Sequence, residues 1–111
     1  MPPVNSYSLP YYTNVEFSVT TGQTNYDVLA NNATFDDQFS AILPYFFANK
    51  MVLRTDQTIT VRVNSTSNHA ITVTSTDSPF TLAGVEIQNI YITNASGNTA
   101  AVKILLSKVE A

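Results

Sequence analysis

Residues 59–80 read ITVRVNSTSNHAITVTSTDSPF. Ile59, Val61 and Val63 alternate with Thr60, Arg62 and Asn64, and after a run of small polar side chains Ile71 and Val73 alternate with Thr72 and Thr74. A period of two is the signature of a strand with one buried face. NSTSNHA, between the two runs, is a connecting loop. Two neighbouring strands are predicted here, with Val61 and Ile71 pointing inward and the outward positions Thr60, Thr72, Thr74 and Thr76 carrying hydroxyl groups in place of charge. Threonine favours strands and has no charge to desolvate, so such a face is cheap to bury against another protein.

The same alternation extends in both directions. Val15, Phe17 and Val19 predict one strand, and past the turn signal at Gly22, Tyr26, Val28 and Ala30 predict another. Met51 and Leu53 open a further strand, and Val102, Ile104 and Leu106 form the last, after the turn NASGN at 94–98. In GVEIQNIYIT the apolar parity slips from Val85 and Ile87 to Ile90 and Ile92, which predicts a β-bulge or bend near Asn89. One segment has helical spacing instead: Phe35, Phe39, Ile42 and Leu43 share a face, Thr34 is placed to cap it, Asp36 and Asp37 suit its first turn, and Pro44 ends it. Seven or eight short strands with one short helix make an all-β fold, a single antiparallel β-sandwich of jelly-roll or immunoglobulin-like type.

Residues 1–13, MPPVNSYSLPYYT, differ from the rest. Three of the five prolines and the tyrosines Tyr7, Tyr11 and Tyr12 fall within them. Proline fixes φ and removes a donor. The reading is therefore an extended N-terminal arm over 1–13, a sandwich domain over 14–111, and Tyr7, Tyr11 and Tyr12 as the partner-binding residues.

Composition narrows the function. The chain of 111 residues suits one domain. Charged residues make up 12%, and five basic against eight acidic side chains give a net charge of −3, which leaves no footprint for a phosphate backbone. Nucleic acid is not an expected partner. Ser, Thr and Asn together account for 36 of the 111 residues, so hydroxyls and amides cover the surface. The absence of cysteine excludes a disulfide framework and thiolate metal sites. No basic, apolar leader or apolar run of membrane-spanning length is visible, and the expectation is a soluble protein made in the cytoplasm with no membrane partner.

No constellation of residues carries catalysis. His69 sits alone in a polar loop with no orienting acid in sequence, and a solvated loop residue is the simpler reading. Asp36 and Asp37 are sequence neighbours, better suited to a helix start than to a converging acid pair. Asp56, Asp77 and Glu86 lack the spacing of a calcium loop. The Asn-x-Ser/Thr triplets at Asn32, Asn64 and Asn94 match the number that chance supplies in so Ser/Thr-rich a chain. No enzyme, cofactor or metal is expected. The competing function is carbohydrate binding, for which Tyr7, Tyr11, Tyr12, Tyr45 and Tyr91 could act as flat platforms, although the chain has no Trp.

The run LRTDQTITVRVNSTSNHAITVTSTDSPF, followed by VEIQNIYITNASGNTAAVKILL, resembles the small β-sandwich virion proteins encoded among the structural genes of tailed bacteriophages. The similarity covers roughly residues 50 to 106 and contains no catalytic signature. It implies a capsid decoration (cement) protein or another auxiliary head or tail protein located in the virion. The implied partners are the major capsid protein or neighbouring virion subunits, and the implied assembly is a homo-oligomer, preferably a trimer. The alternative remains a carbohydrate-binding module of a phage tail or bacterial surface protein.

Overall fold

The computed structural model describes residues 11–32 and 48–108. Eight strands follow one another: β1 (Tyr11–Val19), β2 (Tyr26–Asp27), β3 (Ala48–Thr55), β4 (Ile59–Val63), β5 (Ile71–Val73), β6 (Phe80–Ile87), β7 (Ile90–Thr93) and β8 (Ala100–Lys108). They form two four-stranded antiparallel sheets, the first ordered β1-β8-β3-β6 and the second β2-β7-β4-β5.

The order has a simple origin. β4 pairs with β5 in a hairpin, β3 with β6 outside it, β2 with β7, and finally β1 with β8. Each of these nested pairs belongs to the sheet opposite the one before it, and β3–β8 and β4–β7 pairing joins them within each sheet. This is the jelly roll, and it resolves the choice left open between jelly-roll and immunoglobulin-like sandwiches.

The buried faces of β3, β4, β7 and β8 follow the alternation in sequence. Met51 and Leu53 of β3, Ile59 and Val61 of β4, Ile92 of β7 and Ile104 and Leu106 of β8 are essentially inaccessible to solvent. Val61 faces Ile71 across the β4–β5 ladder, with Ile71 half-buried at the margin and Val73 fully buried beyond it. Thr72, Thr60 and Thr93 form a cross-strand row on the outside of the second sheet.

Two expectations need correction, and a third is met as a bend. The first strand begins at Tyr11, so Tyr11, Tyr12 and Thr13 belong to the sheet, opposite Lys108, Ser107 and Leu106. After Pro10 no proline interrupts the ladder, and β8 is long enough to continue it. Residues 1–10, including Tyr7, lie outside the described residues, as does the helix expected over 35–43. The second strand is only two residues long. The Asp27 carboxylate accepts the Ala30 N–H at 3.1 Å, and the Asn31 N–H and side-chain amide both donate to the Asp27 carbonyl, which turns the chain at Val28. The parity slip at Asn89 is a bend at which the chain leaves the first sheet for the second, so Ile87 and Ile90 enter the core from opposite layers. A bulge exists, but in β6: Lys50 faces Ala83 while Ala48 faces Ile87, with Gly84 at φ +79° between.

Two asparagines hold the crossings together. Asn64, at φ +73°, donates its backbone N–H to the Asn89 carbonyl and its side-chain amide to the Glu86 carbonyl, and its Oδ1 accepts the Gln88 N–H at 2.6 Å. Asn94 is fully buried at the opposite end. Its Nδ2 donates to the carbonyls of Val19 and Asn98, both at 2.8 Å, and its Oδ1 accepts the Ser96 N–H at 3.0 Å. Both residues head Asn-x-Ser/Thr triplets, and both side chains are committed to the fold.

Candidate functional site

The outward positions of the first sheet form the candidate site. Antiparallel register sets them in rows running β1, β8, β3: Tyr12, Ser107 and Lys50; Asn14, Leu105 and Val52; Glu16, Lys103 and Arg54. Tyr12 is 63% exposed and Leu105 37%. Together with Val85 at the β6 bulge, they are the large apolar side chains left exposed among the described residues, and all lie on this sheet. Direct and diagonal cross-strand neighbours lie within reach of one another, which sets Tyr12, Leu105 and half-buried Val52 in one diagonal apolar strip across three strands.

Cations flank that strip. Lys50, Arg54 and Lys103 are all exposed on this face, three of the five basic residues of a chain whose net charge is −3. Lys103 Nζ meets Glu16 Oε1 at 3.3 Å. Arg54 stands beside Lys103 with no ion pair among the described residues. Arg62 on the second sheet contrasts with them: it is half-buried, donating through Nε to the Asn68 carbonyl and through Nη1 to Asn25 Oδ1. The face is shallow. An open groove of about 590 Å³ runs along its end, lined by Glu16, Ser18, Arg54, Asp56, Ala101 and Lys103.

The groups considered for chemistry lie apart. His69 is exposed in the β4–β5 loop. Asp56 Oδ1 accepts the Ala101 N–H at 2.8 Å. Asp77 closes a capping box with Thr74 on the 3₁₀ turn Ser75–Asp77, and the Thr74 hydroxyl and backbone N–H that donate to its carboxylate hold its pKa below the ordinary aspartate value. Among the described residues, no three of His, Cys, Asp and Glu lie close enough together to hold a metal ion. No helix among them is long and apolar enough to cross a membrane.

Of the tyrosines in described segments, Tyr12 stands on the exposed face. Tyr26 stacks on Phe17 with ring centroids 5.5 Å apart, and the half-buried Tyr91 accepts from Asn89 Nδ2 through its hydroxyl at 3.0 Å. Sequence reasoning singled out Tyr12 but missed Lys50, Val52, Arg54, Lys103 and Leu105. Their outward parity was readable; the β3–β8–β1 adjacency that unites them was not.

Comparison with known protein families and with characterised proteins finds no match. The geometry of this face therefore carries the functional argument.

Proposed function

We propose that the chain is a non-enzymatic virion structural protein, a capsid decoration (cement) subunit that seats the outer face of its first sheet on the major capsid protein or a neighbouring virion subunit. The observation that carries this reading is the Tyr12–Leu105–Val52 strip bordered by Lys50, Lys103 and Arg54 on an otherwise acidic, hydroxyl-covered protein. An aromatic and aliphatic centre inside a charged rim is the anatomy of a protein–protein interface. Three cations against the single glutamate of these rows select an acidic partner surface. The jelly roll is a fold of capsid proteins and of lectins, and by that analogy it suits both readings.

Co-sedimentation with heads of the encoding phage, stripped of this protein, tests the proposal. Binding should weaken about tenfold or more in Tyr12→Ala. It should also fall as salt rises from 50 to 500 mM, because the rim cations are exposed. Failure to bind heads at any salt concentration, combined with glycan binding abolished by Tyr12→Ala, would establish the carbohydrate-binding alternative, in which the exposed Tyr12 ring is the sugar platform.

A further inference from the structure

Each sheet of an open sandwich has two edges, and three of the four edges here are blunted. β6 carries the bulge at Gly84, β5 is three residues long and runs into the 3₁₀ turn, and β2 is two residues long and runs into the turn at Val28. These are the devices by which sheets avoid edge-to-edge pairing. β1 has none of them. Its nine residues stay in unbroken register with β8 from Tyr11 to Val19, without proline or lysine and with Glu16 as its one charge. Among the described residues no strand lies on its other side. Val15 and Phe17, on its inward face, remain only half-buried.

From this contrast we infer that β1 is a docking edge for the β1 of a second copy of the chain, which joins the two first sheets into one eight-stranded sheet about a two-fold axis. An antiparallel two-fold pairing that uses the whole strand must centre on its middle residue, Val15. In that register Tyr12 faces Ser18 of the second copy and Asn14 faces Glu16. Direct cross-strand partners share a face, so outward residues meet outward residues, and the inward Val15 side chains of the two copies adjoin. The strand is self-complementary because its only charge faces a neutral amide and never its own counterpart. An antiparallel edge pairing with its own copy gives a closed dimer, and the expectation of a trimer gives way to it. The inference stands independently of the proposed partner on the outer face.

Opposed charge changes at one exposed position test both the edge and the register. Sedimentation equilibrium of the full chain should show a monomer–dimer equilibrium at micromolar concentration. Asn14→Glu sets two pairs of carboxylates face to face and should raise the dimer Kd at least threefold, whereas Asn14→Lys sets two lysines opposite Glu16 and should lower it by a similar factor, with circular dichroism and Tm unchanged in both. Because the chain contains no cysteine, a cross-link gives a second readout. Residues directly opposite across an antiparallel ladder lie within disulfide reach. An oxidised equal mixture of Asn14→Cys and Glu16→Cys chains should therefore give mainly the mixed dimer. A monomer at 100 μM wild type, shifts of the same sign in the two charge variants, or a statistical yield of the mixed dimer would each overturn the inference.

Discussion

Asn94 donates from Nδ2 to the carbonyl of Val19 at 2.8 Å, joining the end of β1 to the β7–β8 turn across 75 positions of sequence. The same amide group serves Asn98 and Ser96, and the Asn94 backbone exchanges hydrogen bonds with Gln23 and Gly22. One buried side chain thus organises the loops at this end of the sandwich. Asn94→Ala would strip donors from two carbonyls and an acceptor from one N–H, and should cost about 2–4 kcal/mol in urea unfolding. The exposed Asn98→Ala should change stability by less than about 0.5 kcal/mol. Equal effects would remove Asn94 from this role.

The β4–β5 ladder predicts a sharp asymmetry between its faces. Val61→Asp would place an unpaired carboxylate at a fully buried position and should cost several kcal/mol, roughly 3 or more. Thr72→Asp, at an exposed position on the outside of the same sheet, should cost little. Ile71→Asp should fall between them, since Ile71 is half-buried. The three Tm values give the ranking directly.

Two N-terminal truncations separate what precedes β1 from β1 itself. Removing residues up to Pro10 leaves the whole β1–β8 ladder and should leave Tm nearly unchanged. Removing residues up to Thr13 deletes three rungs opposite Lys108, Ser107 and Leu106 and should lower Tm by several degrees. A truncation at Pro10 that lowers Tm as much would show that the preceding residues contribute to the domain's own stability.

Asp77 predicts a pH dependence of definite sign. Hydrogen bonds from the Thr74 hydroxyl and then the Thr74 N–H favour its charged form, so its pKa is lower in the folded protein than in the unfolded chain. The stabilisation is fully present above the unfolded aspartate pKa and is lost as pH falls through the folded one. Asp77→Asn should therefore lower Tm slightly at pH 7, and the difference from wild type should vanish in strongly acidic solution. A gap that widens on acidification would reverse the assignment.

The sandwich was legible wherever one strand face is buried, because alternation in Met51–Leu53, Ile59–Val63 and Val102–Leu106 maps onto the core directly. Strand ends were less so. Val28 continues the period of Tyr26, yet the Asp27 carboxylate captures the Ala30 N–H and ends the strand, a competition that hydrophobic spacing does not register. The slip at Asn89 was visible as a change of parity, but a bulge and a change of sheet produce the same change. Least legible was the candidate face on the first sheet. Lys50 and Lys103 are 53 positions apart in the chain and come onto one surface only through the nested pairing, which no local pattern encodes.

That nesting also sets an order of events for a chain finding its fold. The β4–β5 hairpin closes a loop of seven residues, 64–70, whereas β1 meets a partner that begins about eighty residues downstream. Loop-closure entropy rises with the logarithm of separation, so the inner pair can assemble early and the outermost rungs are reached last. Until β8 is synthesised, β1 has no native partner within the first sheet, and a ribosome-bound chain stalled before Ala100 should present both edges of β1 as open strand. Folding should therefore finish at the β1–β8 ladder, and the slow step expected on the millisecond to second scale common to such topologies is the joining of these two distant strands.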